Sequence, residues 1–231
     1  MKTRKNKLLY AAKKAFPHTI PVLTGFMVLG IAYGILMETK GYGPIWSVLM
    51  SAIAFCGSMQ YVAITLLTVA FDPLQALLLS IMVNARHLFY GISMLDKYKG
   101  MGKFRFFFIF WLCDETFSVC YSAEPPEDVE PKYFYFAISA MDYMYWVLGT
   151  LIGSVMGGLI TFNTKGMDFA LTALFVVLFY EQIRKKENRI SGVIGVLAAV
   201  AALCVFGTNL VIPSMILILA ALLAGRKRIC S

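Results

Sequence analysis

Hydrophobic residues in this chain do not alternate with polar ones. They run in blocks from Ile20 to Leu223, with short polar breaks between them. The blocks fall at 20–37, 45–70, 74–94, 104–121, 133–160, 168–183, 190–207 and 210–224. Most are close to the roughly 20 residues that carry an α-helix across a bilayer. The breaks hold loop punctuation: "KGYGP", "FDP", "KYKGMGK", "EPPEDVEP", "FNTKG", "RKKENR" and a turn at "GTN". The pattern predicts an all-α fold, a polytopic membrane helix bundle of about eight transmembrane segments and at the fewest about seven. The block 133–160 exceeds an upright span and must tilt, bend or project.

Composition agrees. The chain is 59% hydrophobic and 15% charged, where soluble domains carry about 45–50% and about 25%. This implies one integral membrane domain over 1–231: a basic, cytoplasmic or interfacial N-terminus (1–19), a bundle (20–224) and a basic tail (225–231). Leu8, Leu9, Ala12 and Phe16 can form the apolar face of a short interfacial helix. The basic start is long and no small-residue cleavage site follows, which argues against a cleaved signal peptide. The net charge of +8 sits at the flanks of apolar blocks. That distribution fits positive-inside anchoring and contact with anionic membrane lipids, not nucleic-acid binding. The five cysteines have no metal-ligand spacing.

Counting Lys and Arg orients the chain. Eight crossings with both termini cytoplasmic place fourteen on the inside and six outside. A re-entrant 45–70 would make the count eleven against nine, so eight crossings are favoured. The basic loop 95–105 fits this orientation worst. A weak echo, "VLGIAYG" at 28–34 and "VLGTLIG" at 147–153, admits two repeated halves and spaces glycines four apart.

Polar residues inside the blocks are the candidates for chemistry, because a charge at a helix centre costs about 2.5–3.5 kcal/mol. Asn84, Arg86 and His87 lie in "VNARHLFYG". At about 100° per residue, Asn84 and His87 share one face while Arg86 lies nearly opposite. The helix is therefore either buried all round or interrupted nearby. Asp114 and Glu115 are adjacent in "WLCDETFSV", close enough in a low dielectric for one to hold a proton or for one to neutralise Arg86. Asp142 lies on a stripe with Tyr135, Ser139, Tyr145, Trp146 and Gly149. Gly57, Ser58 and Gln60 interrupt the second block, where glycine and serine can loosen a helix and free carbonyls. A purely structural reading competes: Arg86 paired with one acid to fix helix register, and the aromatic stripe as packing.

Four pieces, "FPHTIPVLTGFMVLGIAYG", "MSAIAFCGSMQYVAI", "VNARHLFYG" and "DETFSV", occur in this order over residues 16–119. Through them the chain resembles the AzlC-type branched-chain amino acid permease family, with a looser match in "DYMYWVLGTLIGSVMGG". It carries Cys56, Met59 and Tyr61 where members often have small residues and a Gln-Phe pair. The resemblance implies a bacterial inner-membrane exporter of branched-chain amino acids, sometimes methionine, working with a small AzlD-type membrane partner and no separate cofactor. It points to Gly57, Ser58, Gln60, Asn84, Arg86, His87, Asp114 and Glu115 as functional positions. Proton coupling through Asp114, Glu115 or His87 would drive export.

Two other classes compete. An intramembrane enzyme would need a nucleophile or metal motif, and neither HExxH nor GxSxG is present. A scaffold or sensor subunit would use Gly149, Gly153 and Gly157 as a docking seam.

Overall fold

In the computed structural model, the described residues are 4–68, 72–159 and 189–206, with Val176, Phe179, Tyr180, Ile183 and Arg184 between. They form helices α1 (Arg4–Thr39), α2 (Pro44–Ala54), α3 (Gly57–Leu67), α4 (Pro73–Met94), α5 (Phe104–Phe110), α6 (Asp114–Ser122), α7 (Pro131–Leu159) and α8 (Arg189–Phe206). Two compact units emerge. One comprises Met1–Phe71 and Val83–Asp168; the other comprises Asp72–Met82 and Phe169–Ser231. The predicted spans 168–183 and 210–224 and the basic tail 225–231 lie largely or wholly outside the described residues.

Among the described residues, α1, α4 and α7 are long and apolar enough to cross a membrane. α1 is one helix of 36 residues despite Pro17 and Pro21, so the expected separate interfacial helix is its first turns. Their buried face is Ala11 and Ala15, not Leu9 and Phe16, which stay exposed. The Thr19 and Thr24 hydroxyls donate to the Phe16 and Pro21 carbonyls along the proline-containing stretch.

α1 and α7 run parallel and touch backbone to backbone. A Cβ on Gly30 would lie 3.1 Å from the Thr150 nitrogen, and one on Gly149 would lie 3.0 Å from the Phe26 oxygen. A Cβ on Gly34 or Gly153 would collide with the facing backbone outright, at Thr150 and Ile31 respectively. Gly157 meets Ile35 and Glu38 one turn further on. The echo at 28–34 and 147–153 is thus a seam between two helices of this chain, with glycine needed for the approach. Gly149, Gly153 and Gly157 are occupied by α1, which removes them as an intermolecular docking seam.

The blocks 45–70 and 104–121, expected to cross, each break and turn back. α2 runs against α7: Ser51 meets Thr150, and Phe55 packs on Tyr143 and Phe26. At Phe55 the backbone turns left-handed (φ 35, ψ 50). α3 then returns along α1, through Tyr61 on the Leu29 carbonyl and the Tyr33 ring. It ends where Leu67 accepts a hydrogen bond from Tyr42, two residues before α2. The second hairpin enters from the opposite end. α5 follows α7 from Phe104 beside Tyr133 to Trp111 beside Tyr143. α6 returns from Thr116 beside Asp142 to Ala123 beside Tyr135.

In the first hairpin, part of the broken backbone is satisfied inside the protein. Tyr143 donates to the Ala52 carbonyl, one of those α2 leaves unpaired where it ends. Each hairpin reaches only the middle of α7 before it turns back. The basic loop 95–105 then falls at the same end as the start of α1, because Tyr98 packs on Tyr135 and Phe108. Within residues 4–159, ten of the twelve Lys and Arg gather at that end; Lys40 stands at the other and Arg86 in the middle.

Candidate functional site

Both hairpin tips reach the same turn of α7, near its middle. Gly57 faces the Trp146 ring and Phe55 faces Tyr143, while Trp111 and Thr116 face Tyr143 and Asp142. Arg86 comes from α4 and joins the tips. Its Nη2 donates to Ser58 Oγ at 2.5 Å, and its Nη1 lies 2.8 Å from Asp114 Oδ2.

α4 is continuous from Pro73 to Met94 and, Met94 apart, not buried, so neither alternative holds for that helix: it is not buried all round, and the interruption is not in it. It lies in the two partners, at Phe55–Cys56 and at Trp111–Cys113. This resolves the problem of opposite faces. Arg86 reaches the α3 and α6 tips, while Asn84 on another face accepts from the Cys56 thiol at 2.9 Å. His87 makes a 3.3 Å contact through Nδ1 to the Asn84 carbonyl and packs against Tyr90. Tyr90 in turn stacks on Phe117, behind Asp114.

Breaking these helices places two helix N-termini at one level. α3 opens at Gly57 and α6 at Asp114, and neither N-cap residue supplies a side-chain cap. The partial positive charge of a helix N-terminus favours an anion there. In α6 the chain supplies its own anions, Asp114 and Glu115, in the first turn. In α3 the first turn is Gly57, Ser58 and Met59 with no acid, and the positive Arg86 stands beside it.

Around this centre lies a buried polar relay. Trp146 Nε1 donates to Gln60 Oε1 at 2.7 Å, Gln60 Nε2 donates to Ser51 Oγ at 3.0 Å, and Ser51 and Thr150 share a 2.8 Å hydrogen bond. Gln60 is therefore a fully buried brace between hairpin and α7. Asp142, also fully buried, accepts from Thr116 through Oδ2 at 2.9 Å. Its Oδ1 is buried without a hydrogen-bond partner among the described residues, as is Arg86 Nε.

Ser58, Arg86 and Asp114 thus meet, with Asn84 held to the first tip through Cys56, Gly57 at that tip and Glu115 in the first turn of the other, while His87 contacts Asn84 and Tyr90 of its own helix. Gln60 and Asp142 flank them as anchors. Ser51, Thr116, Tyr143 and Thr150 were not singled out as site residues from sequence. Thr116 stands two residues after Asp114, but lone hydroxyls in apolar blocks give no pattern to read. Among the described residues no cluster of His, Cys, Asp and Glu is suited to a metal ion.

Residues 21–160 match the AzlC family, described as AzlC protein. The chain is 47% identical over 225 residues to the branched-chain amino acid transport protein AzlC of Bacillus subtilis (strain 168), covering 97% of this chain and 89% of that one. It is 38% identical over 226 residues to an uncharacterized membrane protein of Helicobacter pylori (strain ATCC 700392 / 26695), covering 97% and 99%. It is 24% identical over 196 residues to the inner membrane protein YgaZ of Escherichia coli (strain K12), covering 79% and 78%. No solved structure matches the chain.

Proposed function

The chain belongs to the AzlC family, and from that premise we propose that it exports branched-chain amino acids, and methionine, across a bacterial inner membrane. The observation that carries the proposal is Arg86 held between the tips of two broken helices at mid-span. A branched-chain amino acid is a zwitterion with an apolar side chain. Its site needs an anion-binding group, a cation-binding group and an apolar wall. Arg86 and the first-turn amides of α3 take the carboxylate. Asp114, with Glu115 beside it, takes the ammonium, and Phe55, Tyr90 and Tyr143 supply the wall.

The Arg86–Asp114 pair gives the site its selectivity for zwitterions. A zwitterion opens one ion pair and replaces it with two, carboxylate on guanidinium and ammonium on carboxylate. A simple anion or cation satisfies only one side and leaves the other charge without its partner, which is costly in a low dielectric. Export is driven by proton entry through the acidic groups of the same centre, Asp114, Glu115 and Asp142, with His87 beside them. A small AzlD-type membrane subunit works with this chain. The basic end, with the start of α1 and loop 95–105, faces the cytoplasm, as the concentration of Lys and Arg there supports.

The test is efflux of labelled leucine, valine and methionine from dipeptide-loaded cells expressing this chain, with and without the small partner. Faster efflux of these than of labelled lysine is expected with the pair. Unchanged efflux from well-inserted protein would refute the substrate assignment.

A further inference from the structure

The two hairpins share more than a shape. Read 57 positions apart, "YGILM" at Tyr33–Met37 and "YGISM" at Tyr90–Met94 differ at one residue. Without a gap, the same offset carries Lys40 onto Lys97, Gly43 onto Gly100, Cys56 onto Cys113 and Val62 onto Val119. Cys56 and Cys113 are the N-cap residues of α3 and α6. Each stretch therefore reads in one order: end of a long helix, connection, half-helix, break, half-helix. In space the two are inverted. Tyr33 lies on the helix that runs with α7. Tyr90 lies on one that runs against it, since Arg86 meets the mid-level tips and Tyr98 lies by Tyr135, near the start of α7.

We propose that residues 27–67 and 84–124 are inverted copies of one unit, a long helix with a broken hairpin, and that the two hairpins are gates of the Arg86 site that open in turn. The proposal rests on the transport reading above. The α1–α7 seam is backbone against backbone and is the part that stays fixed. Each hairpin, by contrast, meets α7 through side chains, in aromatic contacts such as Phe55–Tyr143 and Trp111–Tyr143 and in a few polar bonds. The first uses Ser51–Thr150, Gln60–Trp146 and Ala52–Tyr143; the second uses Thr116–Asp142 and Ala123–Tyr135. Inverted copies give one chain two related conformations of similar energy. One copy's motion toward the Lys40 end mirrors the other's toward the basic end, which is what alternating access requires.

The test uses the full chain in liposomes and the native Cys56 at the first tip as reporter. Ser51 and Thr150 hydroxyls lie 2.8 Å apart, so the pair Ser51→Cys and Thr150→Cys locks the first hairpin to α7 on oxidation. The expected result is at least a tenfold loss of Cys56 labelling by an impermeant maleimide from the Lys40 end. Labelling from the basic end is kept, and a reductant reverses the loss. Gly57→Val should do the opposite. A Cβ there meets the Trp146 ring at 2.9 Å, prying the tip away and raising Lys40-end labelling several-fold. Labelling unchanged by a disulfide verified by mass spectrometry overturns the proposal. So does Gly57→Val altering both ends equally, and that variant alone decides if the double variant fails to insert. Sided labelling involves no amino acid, so gating without leucine transport would refute only the substrate assignment.

Discussion

Arg86 Nη1 lies 2.8 Å from Asp114 Oδ2, so a continuous helix and the tip of a broken one are joined by opposite charges at mid-span. The side chains are 31% and 21% exposed, which makes the pair softer than a fully buried one, whose disruption costs about 3–5 kcal/mol. Arg86→Ala should destabilise the protein by about 2 kcal/mol in detergent and reduce efflux at least tenfold. Arg86→Ala with Asp114→Ala should recover most of the stability and none of the transport. Thermal unfolding and efflux on the same preparations check both, and recovered efflux in the double variant would remove the pair from the substrate site.

The α1–α7 seam predicts a steep dependence on side-chain size. Gly153→Ala places a methyl into the Ile31 backbone, whereas Gly25→Ala meets nothing within 4 Å. Overpacking costs about 1–3 kcal/mol. The first variant should unfold at a visibly lower temperature than the second, and matching midpoints would mean that the helices separate more easily than their geometry implies.

How far these relationships could be read from sequence depends on whether they are local. The polar centre was legible because Arg86, Asp114 and Asp142 are costly in an apolar block wherever the block folds. The breaks at Phe55–Cys56 and Trp111–Cys113 were not, because an apolar block of about 20 residues looks the same whether it crosses or turns back. Positive φ at Phe55 carries no composition signal. The echo at 28–34 and 147–153 is legible because its glycines recur at the same spacing, and it marks packing. The relation between Tyr33–Met37 and Tyr90–Met94 is hidden by divergence at the tips, where Gly57–Ser58 faces Asp114–Glu115 at the same offset.

Gln60 is expected to act as a brace. Removing its amide leaves the Trp146 indole N–H and the Ser51 hydroxyl each without one partner, and an unsatisfied buried group costs about 1–3 kcal/mol. Gln60→Ala and Trp146→Phe should each destabilise by that order, and the double variant by clearly less than the sum. Additive effects in thermal unfolding would show that the two side chains act independently.

Outside the membrane-spanning part, Lys132 and Lys7 donate to Glu130 at 2.7 and 2.6 Å and hold its carboxyl at about 2, below its ordinary 4.5. A carboxylate depressed on folding stabilises above its unfolded value, and the contribution fades as pH falls through the folded one. The difference in unfolding midpoint between the unaltered chain and Glu130→Gln should be small and constant above about pH 5. It should shrink between about pH 4 and pH 2. A difference that grows on acidification would contradict the assignment of the two lysines as its cause.

Asp142 allows the proposed coupling to be tested apart from folding. Its Oδ2 accepts from Thr116, and its Oδ1 is buried without a partner among the described residues. Asp142→Asn keeps an acceptor for Thr116 and nearly the same volume, so the protein should insert and fold, at a cost of about 1–3 kcal/mol for amide N–H groups buried where Oδ1 has no partner. What it loses is the ability to gain and release a proton. Exchange of leucine across the membrane needs no net proton movement and should persist within about twofold, while net uphill efflux should fall at least tenfold. Thr116→Val does the reverse, costing about 1 kcal/mol of stability and leaving a pH-dependent net efflux. If Asp142→Asn abolishes exchange and net efflux alike, the carboxyl is part of the substrate site itself; if both survive, the coupling proton travels through Asp114 or Glu115 instead.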